Sequence, residues 1–163
     1  MHLGAVRPRS RGFSLLELVI VTAIGTILTL VSIPVINTTM AGMRLSSTVN
    51  SLTGALSAAR YRAIMNSQVF TLALAEPANT YVVTNVGTGQ ADAAVPLPSK
   101  AVAINGGGTA TYTFTFCPNG IVYGSGGVCP GNNTPPALTA TSLGRQINIS
   151  VSSVGNVTTT TIH

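Results

Sequence analysis

From Leu18 to Met43 the chain runs for 26 residues without one formal charge, and Glu17 stands immediately before that run. A helix rising about 1.5 Å per residue carries such a run roughly 39 Å, enough to cross a hydrocarbon core of about 30 Å. The segment can span a membrane, and Glu17 makes it more than an anchor. A carboxylate there costs on the order of 2.5–3.5 kcal/mol at mid-bilayer and less near the interface, which predicts a functional acid with a partner.

Two ordinary explanations cover part of this pattern. A secretory signal peptide also pairs a basic n-region, here Arg7, Arg9 and Arg11, with an apolar stretch. Its apolar stretch would be shorter, would lack Glu17 and would end in a small-residue cleavage site, for which Val31-Ser32-Ile33 is poor. A plain single-span anchor accounts for the length and the arginines but leaves the glutamate unexplained.

Positive residues beside a first apolar helix stay cytoplasmic, which places everything after the span outside the cytoplasm. The chain has 163 residues, room for one domain beside the membrane segment. Charged residues make up only 7% of it, so charge-driven disorder is excluded. The formal net charge of +5 resembles a nucleic-acid signal until it is divided. Arg7, Arg9 and Arg11 supply +3; Arg44, Arg60, Arg62, Lys100 and Arg145 against Glu17, Glu76 and Asp92 leave +2. Cys117 and Cys129 both fall in the exported part, where an even pair is most simply a disulfide closing a small loop. A zinc site would need two further ligands, and the histidines are His2 and His163.

Taken in order, residues 1–12 read as a removable leader and 13–43 as the membrane or filament-core part of a helix. Residues 44–66 read as its amphipathic continuation, and 67–163 as a β-rich head. The helix is expected to run from Phe13 towards Asn66, loosened near Gly25 and Pro34, since an interior proline removes a backbone hydrogen bond. Beyond Met43, Leu45, Val49, Leu52, Leu56, Ala59 and Ala63 recur at spacings of three and four. That stripe predicts one face packed on a globular domain, with Arg44, Ser47, Asn50, Ser57 and Arg60 largely off it.

Val69–Leu74 and Tyr81–Val86 are β-rich runs split by the turn-like Glu76-Pro77-Ala78-Asn79, and read as a hairpin. Residues 87–100 read as a loop. From Thr109 to Cys117, threonines alternate with Tyr112, Phe114 and Phe116, which predicts a strand with a buried aromatic face and a wetted threonine face. Cys117-Pro118-Asn119-Gly120 turns the chain, Ile121-Val122-Tyr123 returns it, and 124–136 form a loop carrying Cys129. Ala137–Leu143, Gln146–Val151 and Asn156–Ile162 are three closing strands, with Ile147, Ile149 and Val151 on one face. Gly144-Arg145 and Ser153-Val154-Gly155-Asn156 are the turns between them.

The run Gly12-Phe13-Ser14-Leu15-Leu16-Glu17-Leu18-Val19-Ile20-Val21 resembles the processing site of type IV pilins and type II secretion pseudopilins. The resemblance implies a peptidase/methyltransferase that cuts between Gly12 and Phe13 and methylates Phe13. It makes Glu17 the family's acid at the fifth mature position and Pro34 the family's helix-loosening proline. Ala55 to Ala63, the run Phe114 to Gly120, and the last strand pair joined by Ser153 to Asn156 are similar to the GspH/FimT group of minor pilins and pseudopilins. The implied fold is α+β and pilin-like, a long N-terminal helix packed on antiparallel β-sheets. The implied partners are the prepilin peptidase, other pilins or pseudopilins, the inner-membrane assembly platform, and membrane lipid before assembly. The implied place is the bacterial inner membrane, with the leader in the cytoplasm and the head in the periplasm, then a periplasmic or extracellular filament.

Pairing of Glu17 with the cationic amine of Phe13, in its own chain or a neighbour, would offset the cost of burying the acid and set axial register. No catalytic constellation emerges from three acids and terminal histidines, and no cofactor is implied. Gly106-Gly107-Gly108 and Gly124-Ser125-Gly126-Gly127 lack the Lys-Ser/Thr of a phosphate loop. Some FimT-type members bind DNA through a Gly-Arg-x-Arg stretch. Gly144-Arg145-Gln146-Ile147 keeps the first arginine and replaces the second, so DNA capture through Arg145 and Lys100 would be weak. A tip adhesion subunit is the third reading.

Overall fold

In the computed structural model the described residues are 13–76, 78–131 and 133–162, and the side chains of residues 31–35 lie outside that description. Gly12 and the basic leader, which carry the cleavage expectation, and the side chain of Pro34 therefore lie outside the described residues. The chain divides into two compact units, Met1–Thr38 and Thr39–His163. One helix, α1 (Leu15–Asn66), belongs to both.

In the first unit every described side chain from Phe13 to Leu30 is exposed. Thr22, Thr26 and Thr29 donate their hydroxyls back to the carbonyls of Leu18, Thr22 and Gly25, four residues earlier, at 2.7–3.1 Å. Satisfied in this way, a threonine presents only its methyl to lipid or to another helix. Among the described residues no helix is long and apolar enough to cross a membrane. The expected span, Leu18–Met43, contains the undescribed side chains of 31–35.

The second unit holds the core. Leu45, Val49, Leu52, Leu56, Ala59 and Ala63 are each 4% exposed or less, as the three-four spacing requires. Ala41 and Thr48 extend that stripe, and Thr48 buries its hydroxyl by donating to the Arg44 carbonyl at 2.9 Å. Two antiparallel sheets meet the helix. The first contains β1 (Phe70–Ala75), β2 (Thr80–Asn85), β3 (Gln90–Ala91), β4 (Val95–Pro96), β6 (Thr111–Phe116) and β7 (Val122–Tyr123), in the order β3-β2-β1-β6-β7 with β4 also on β2. The second contains β5 (Ala103–Ile104), β8 (Leu138–Ser142), β9 (Arg145–Val151) and β10 (Val157–Ile162), in the order β10-β9-β8-β5.

Register explains the packing. In β1 burial alternates strictly, and its inward residues oppose the aromatics of β6 as Phe70↔Phe116, Leu72↔Phe114 and Leu74↔Tyr112. Phe114 and Phe116 are fully buried against Leu52 and Leu56 of the same core, joined by Leu138, Ala140 and Ile149 from the second sheet. At about 25 cal/mol per Å² of apolar surface, each such side chain contributes roughly 1.5–3 kcal/mol. Among the described residues the hydrophobic core falls between Leu45 and Val157, so the Thr39–His163 unit contains all of the packing that a separate domain would need.

Three expectations need correction. Residues 87–100 are not all loop, since β3 and β4 pair with β2 inside them, and β5 follows. These strands have two residues each, too short for any alternation to show. The threonine face of β6 is not wetted throughout. Thr115 is completely buried because the loop after β7 folds over it: its hydroxyl donates to the Gly124 carbonyl at 3.0 Å and accepts the Gly127 N–H at 3.2 Å. Finally, Arg145 opens β9, where a turn residue was expected; the turn is Leu143-Gly144, both at positive φ, 45° and 79°.

Candidate functional site

Three groups of residues could carry function, and each is placed by the local chain. The first is the head of α1. Ser14 precedes the helix, and its carbonyl accepts the N–H of Glu17 at 3.0 Å and of Leu18 at 3.2 Å. Glu17 thus sits at the third helical position, in the first turn, with its side chain exposed. Ser14-x-x-Glu17 has the spacing of a capping box, and an acid in the first turn also faces the positive end of the helix dipole. Sequence reasoning that treated Glu17 only as a cost to be offset by a partner left out its place in the first turn of the helix. Phe13, the expected first mature residue, is 79% exposed.

The second group centres on Arg60, in the second half of α1. Its Nε donates to the Gly120 carbonyl at 3.2 Å and its Nη2 to the Val154 carbonyl at 2.9 Å. One guanidinium therefore ties the helix to the turn after β6 and to the turn between β9 and β10. Glycine is required at both contacts. Gly120 and Gly155 have φ of 80° and 78°, and a Cβ on Gly155 would fall 2.3 Å from Arg60 Nε. The Val122 N–H donates to the Ser153 carbonyl at 2.7 Å, linking the two turns directly. The disulfide from Cys117 to Cys129 closes the adjacent loop, with its Cα atoms 5.8 Å apart. The three segments that carried the GspH/FimT resemblance, remote in sequence, thus meet around one arginine.

The third group is Arg145. Its guanidinium lies over Gly42, where an added Cβ would come within 2.8 Å of Nη1. It lines an open groove of about 670 Å³ with Gly42, Met43, Ser46, Ser47 and Asn50. The arginine is exposed but packed on the helix, not free in solvent. Lys100 is exposed in the turn before β5, and no hydrogen bond or ion pair joins it to Arg145 among the described residues. Arg62, by contrast, is engaged in an ion pair with Asp92, half-exposed on both sides, which ties α1 to the segment between β3 and β4.

An apolar helix with an acid in its first turn, continuing as the spine of a domain of antiparallel sheets, defines a pilin-like α+β protein. Residues 7–33 match the prokaryotic N-terminal methylation motif, and residues 48–155 match the type II transport protein GspH. The second match takes in more than half of the chain, and the chain belongs to the GspH family, within the type IV pilin and pseudopilin class. No curated protein and no solved structure matches it.

Proposed function

We propose that this chain is a structural minor pilin or pseudopilin, cut between Gly12 and Phe13 and assembled through its N-terminal helix into a type IV pilus or type II secretion pseudopilus. One observation carries the reading. The methylation motif at 7–33 and the GspH match at 48–155 are joined by the single helix Leu15–Asn66. In this reading the leader stays in the cytoplasm, 13–43 crosses the inner membrane, and the head lies in the periplasm. The prepilin peptidase, the assembly platform and other subunits act on it in turn.

Glu17 then has two environments. In lipid it is tolerated near the interface by the helix N-terminus, and in the filament it pairs with the Phe13 amine of the same or a neighbouring chain. Pro34 supplies the loosening that lets the helix adapt from one solvent to the other. Mass spectrometry of the mature protein tests the reading: the N-terminus is Phe13, methylated. An N-terminus elsewhere overturns it. Glu17→Ala is expected to be processed normally and to be lost from assembled filaments, and normal assembly of that variant refutes the pairing.

A DNA-binding role has one observation in its favour, the exposed Arg145 above a groove lined by Ser46, Ser47 and Asn50. One cation releases few counterions, so binding through this site is weak and strongly salt-sensitive.

A further inference from the structure

One sheet edge differs from all the others. Among the described residues, β3, β4, β5 and β7, the strands at the ends of both sheets other than β10, have two residues each. Edges so short offer almost nothing to a foreign strand, which is how folded proteins keep their sheets from joining. The last edge is unlike them. β10 runs for six residues, Val157–Ile162, in unbroken register with β9 from Val157↔Val151 to Ile162↔Gln146. It carries no charge, no proline and no bulge, the devices that otherwise blunt an edge.

β10 also lacks the usual reason for being ordered. Val157 is half-buried against the core, and the other five residues, Thr158–Ile162, are exposed. Fixing each residue in an extended conformation costs about 1–2 kcal/mol of chain entropy, and side-chain burial here returns little of it. What β10 displays on its free side is a row of main-chain N–H and C=O groups, and the chemistry that recognises such a row is another extended backbone.

We propose that the free edge of β10 pairs antiparallel with β10 of a second copy of this chain, joining two four-stranded sheets into one. The sequence suits its own partner. In an antiparallel pair directly opposed residues share a face, and a two-fold axis normal to the sheet keeps each face, so the residue on the axis opposes itself. Within Val157–Ile162 the central position is Thr159 or Thr160. Either choice sets threonine against threonine over most of the contact, a favourable cross-strand pair with no like charges opposed. The proposal rests on the edge strand alone and is independent of N-terminal processing.

The test uses residues 39–163, the self-contained unit, which removes the apolar helix as a source of association. Sedimentation across a concentration series is expected to show a monomer–dimer equilibrium. The Thr159→Lys/Thr160→Lys double variant is expected to stay monomeric with an unchanged melting temperature. Thr159→Cys or Thr160→Cys, the one on the axis, is expected to give a covalent dimer on mild oxidation. Opposed Cα atoms in such a pair lie about 4.5–5.5 Å apart, within disulfide reach. Ser57→Cys on the exposed face of α1 is the control and stays monomeric. The cysteine variants decide the matter if the lysine variant fails to fold. A wild type that is monomeric at every concentration, a dimer that survives the lysines, or cross-linking no greater at positions 159 and 160 than at 57 overturns the proposal.

Discussion

Arg60→Ala tests whether one guanidinium holds the head together. The residue donates to two carbonyls, one part-buried at Gly120 and one more exposed at Val154. Hydrogen bonds from charged donors are worth about 1.5–3 kcal/mol each, and the exposed one falls below that range because water competes for it. Adding the packing of the arginine stem over Gly155, the loss is about 2–3 kcal/mol. For a unit of this size that is roughly 6–15 °C in melting temperature. The assay is urea unfolding of residues 39–163 with the disulfide intact, reading a lower midpoint at unchanged slope. Arg60→Lys keeps the charge but cannot span two carbonyls, and is expected to recover less than half of the loss. Gly155→Ala sharpens the test. In the wild type the new Cβ must displace Arg60 Nε, 2.3 Å away, and also bear the strain of φ 78°. In the Arg60→Ala background only the strain remains, about 1–2 kcal/mol, so the two substitutions together cost less than their sum. A loss below about 0.5 kcal/mol for Arg60→Ala, or strict additivity in the cycle, refutes the clamp.

Three further outcomes follow from the same geometry. Thr115→Val strands the buried Gly124 carbonyl and the half-buried Gly127 N–H that its hydroxyl satisfies, and is expected to cost about 1–3 kcal/mol by chemical denaturation. Removing the Cys117–Cys129 bridge, whose partners are 12 residues apart, is expected to cost about 3 kcal/mol on the chain-entropy account, read as a difference between oxidised protein and a double Ser variant. If duplex DNA is retained at low salt, Arg145→Ala is expected to lower the salt slope of binding by about 0.9, and an unchanged slope removes Arg145 from the contact.

Much of this fold was legible because burial leaves a period in the sequence. The helix stripe from Leu45 to Ala63 and the aromatic face of β6 are both read from spacing alone, since a helix returns to one face every three or four residues and a strand every two. The hairpin of β1 and β2 was visible for the same reason, flanked by a turn-forming break. What escaped was set by contacts between remote segments. β3, β4 and β5 exist only because a partner strand passes beside them, and two residues cannot carry a pattern. Thr115 alternates like its neighbours, and the loop that buries it, 9 to 12 residues later, leaves no mark on that alternation. Arg60 read as a solvated residue off the apolar stripe, whereas two glycine-bearing turns had left room for its guanidinium. The Ser14-x-x-Glu17 spacing, in contrast, is local and legible in the sequence alone.

The Arg60 contacts also set a timetable for the head. Their acceptors lie 60 and 94 residues later in the chain. At a synthesis rate of about 5–20 residues per second, the arginine and the apolar stripe around it emerge roughly 5–19 s before the second turn exists to receive them. During that interval the first sheet, whose last strand ends at Tyr123, is finished before the second, whose β10 begins only at Val157, so the face running from Leu45 to Ala63 is covered in two stages. A truncation just before Val154 therefore removes the second carbonyl that Arg60 grips, and β10 with it, while every strand of the first sheet is still present.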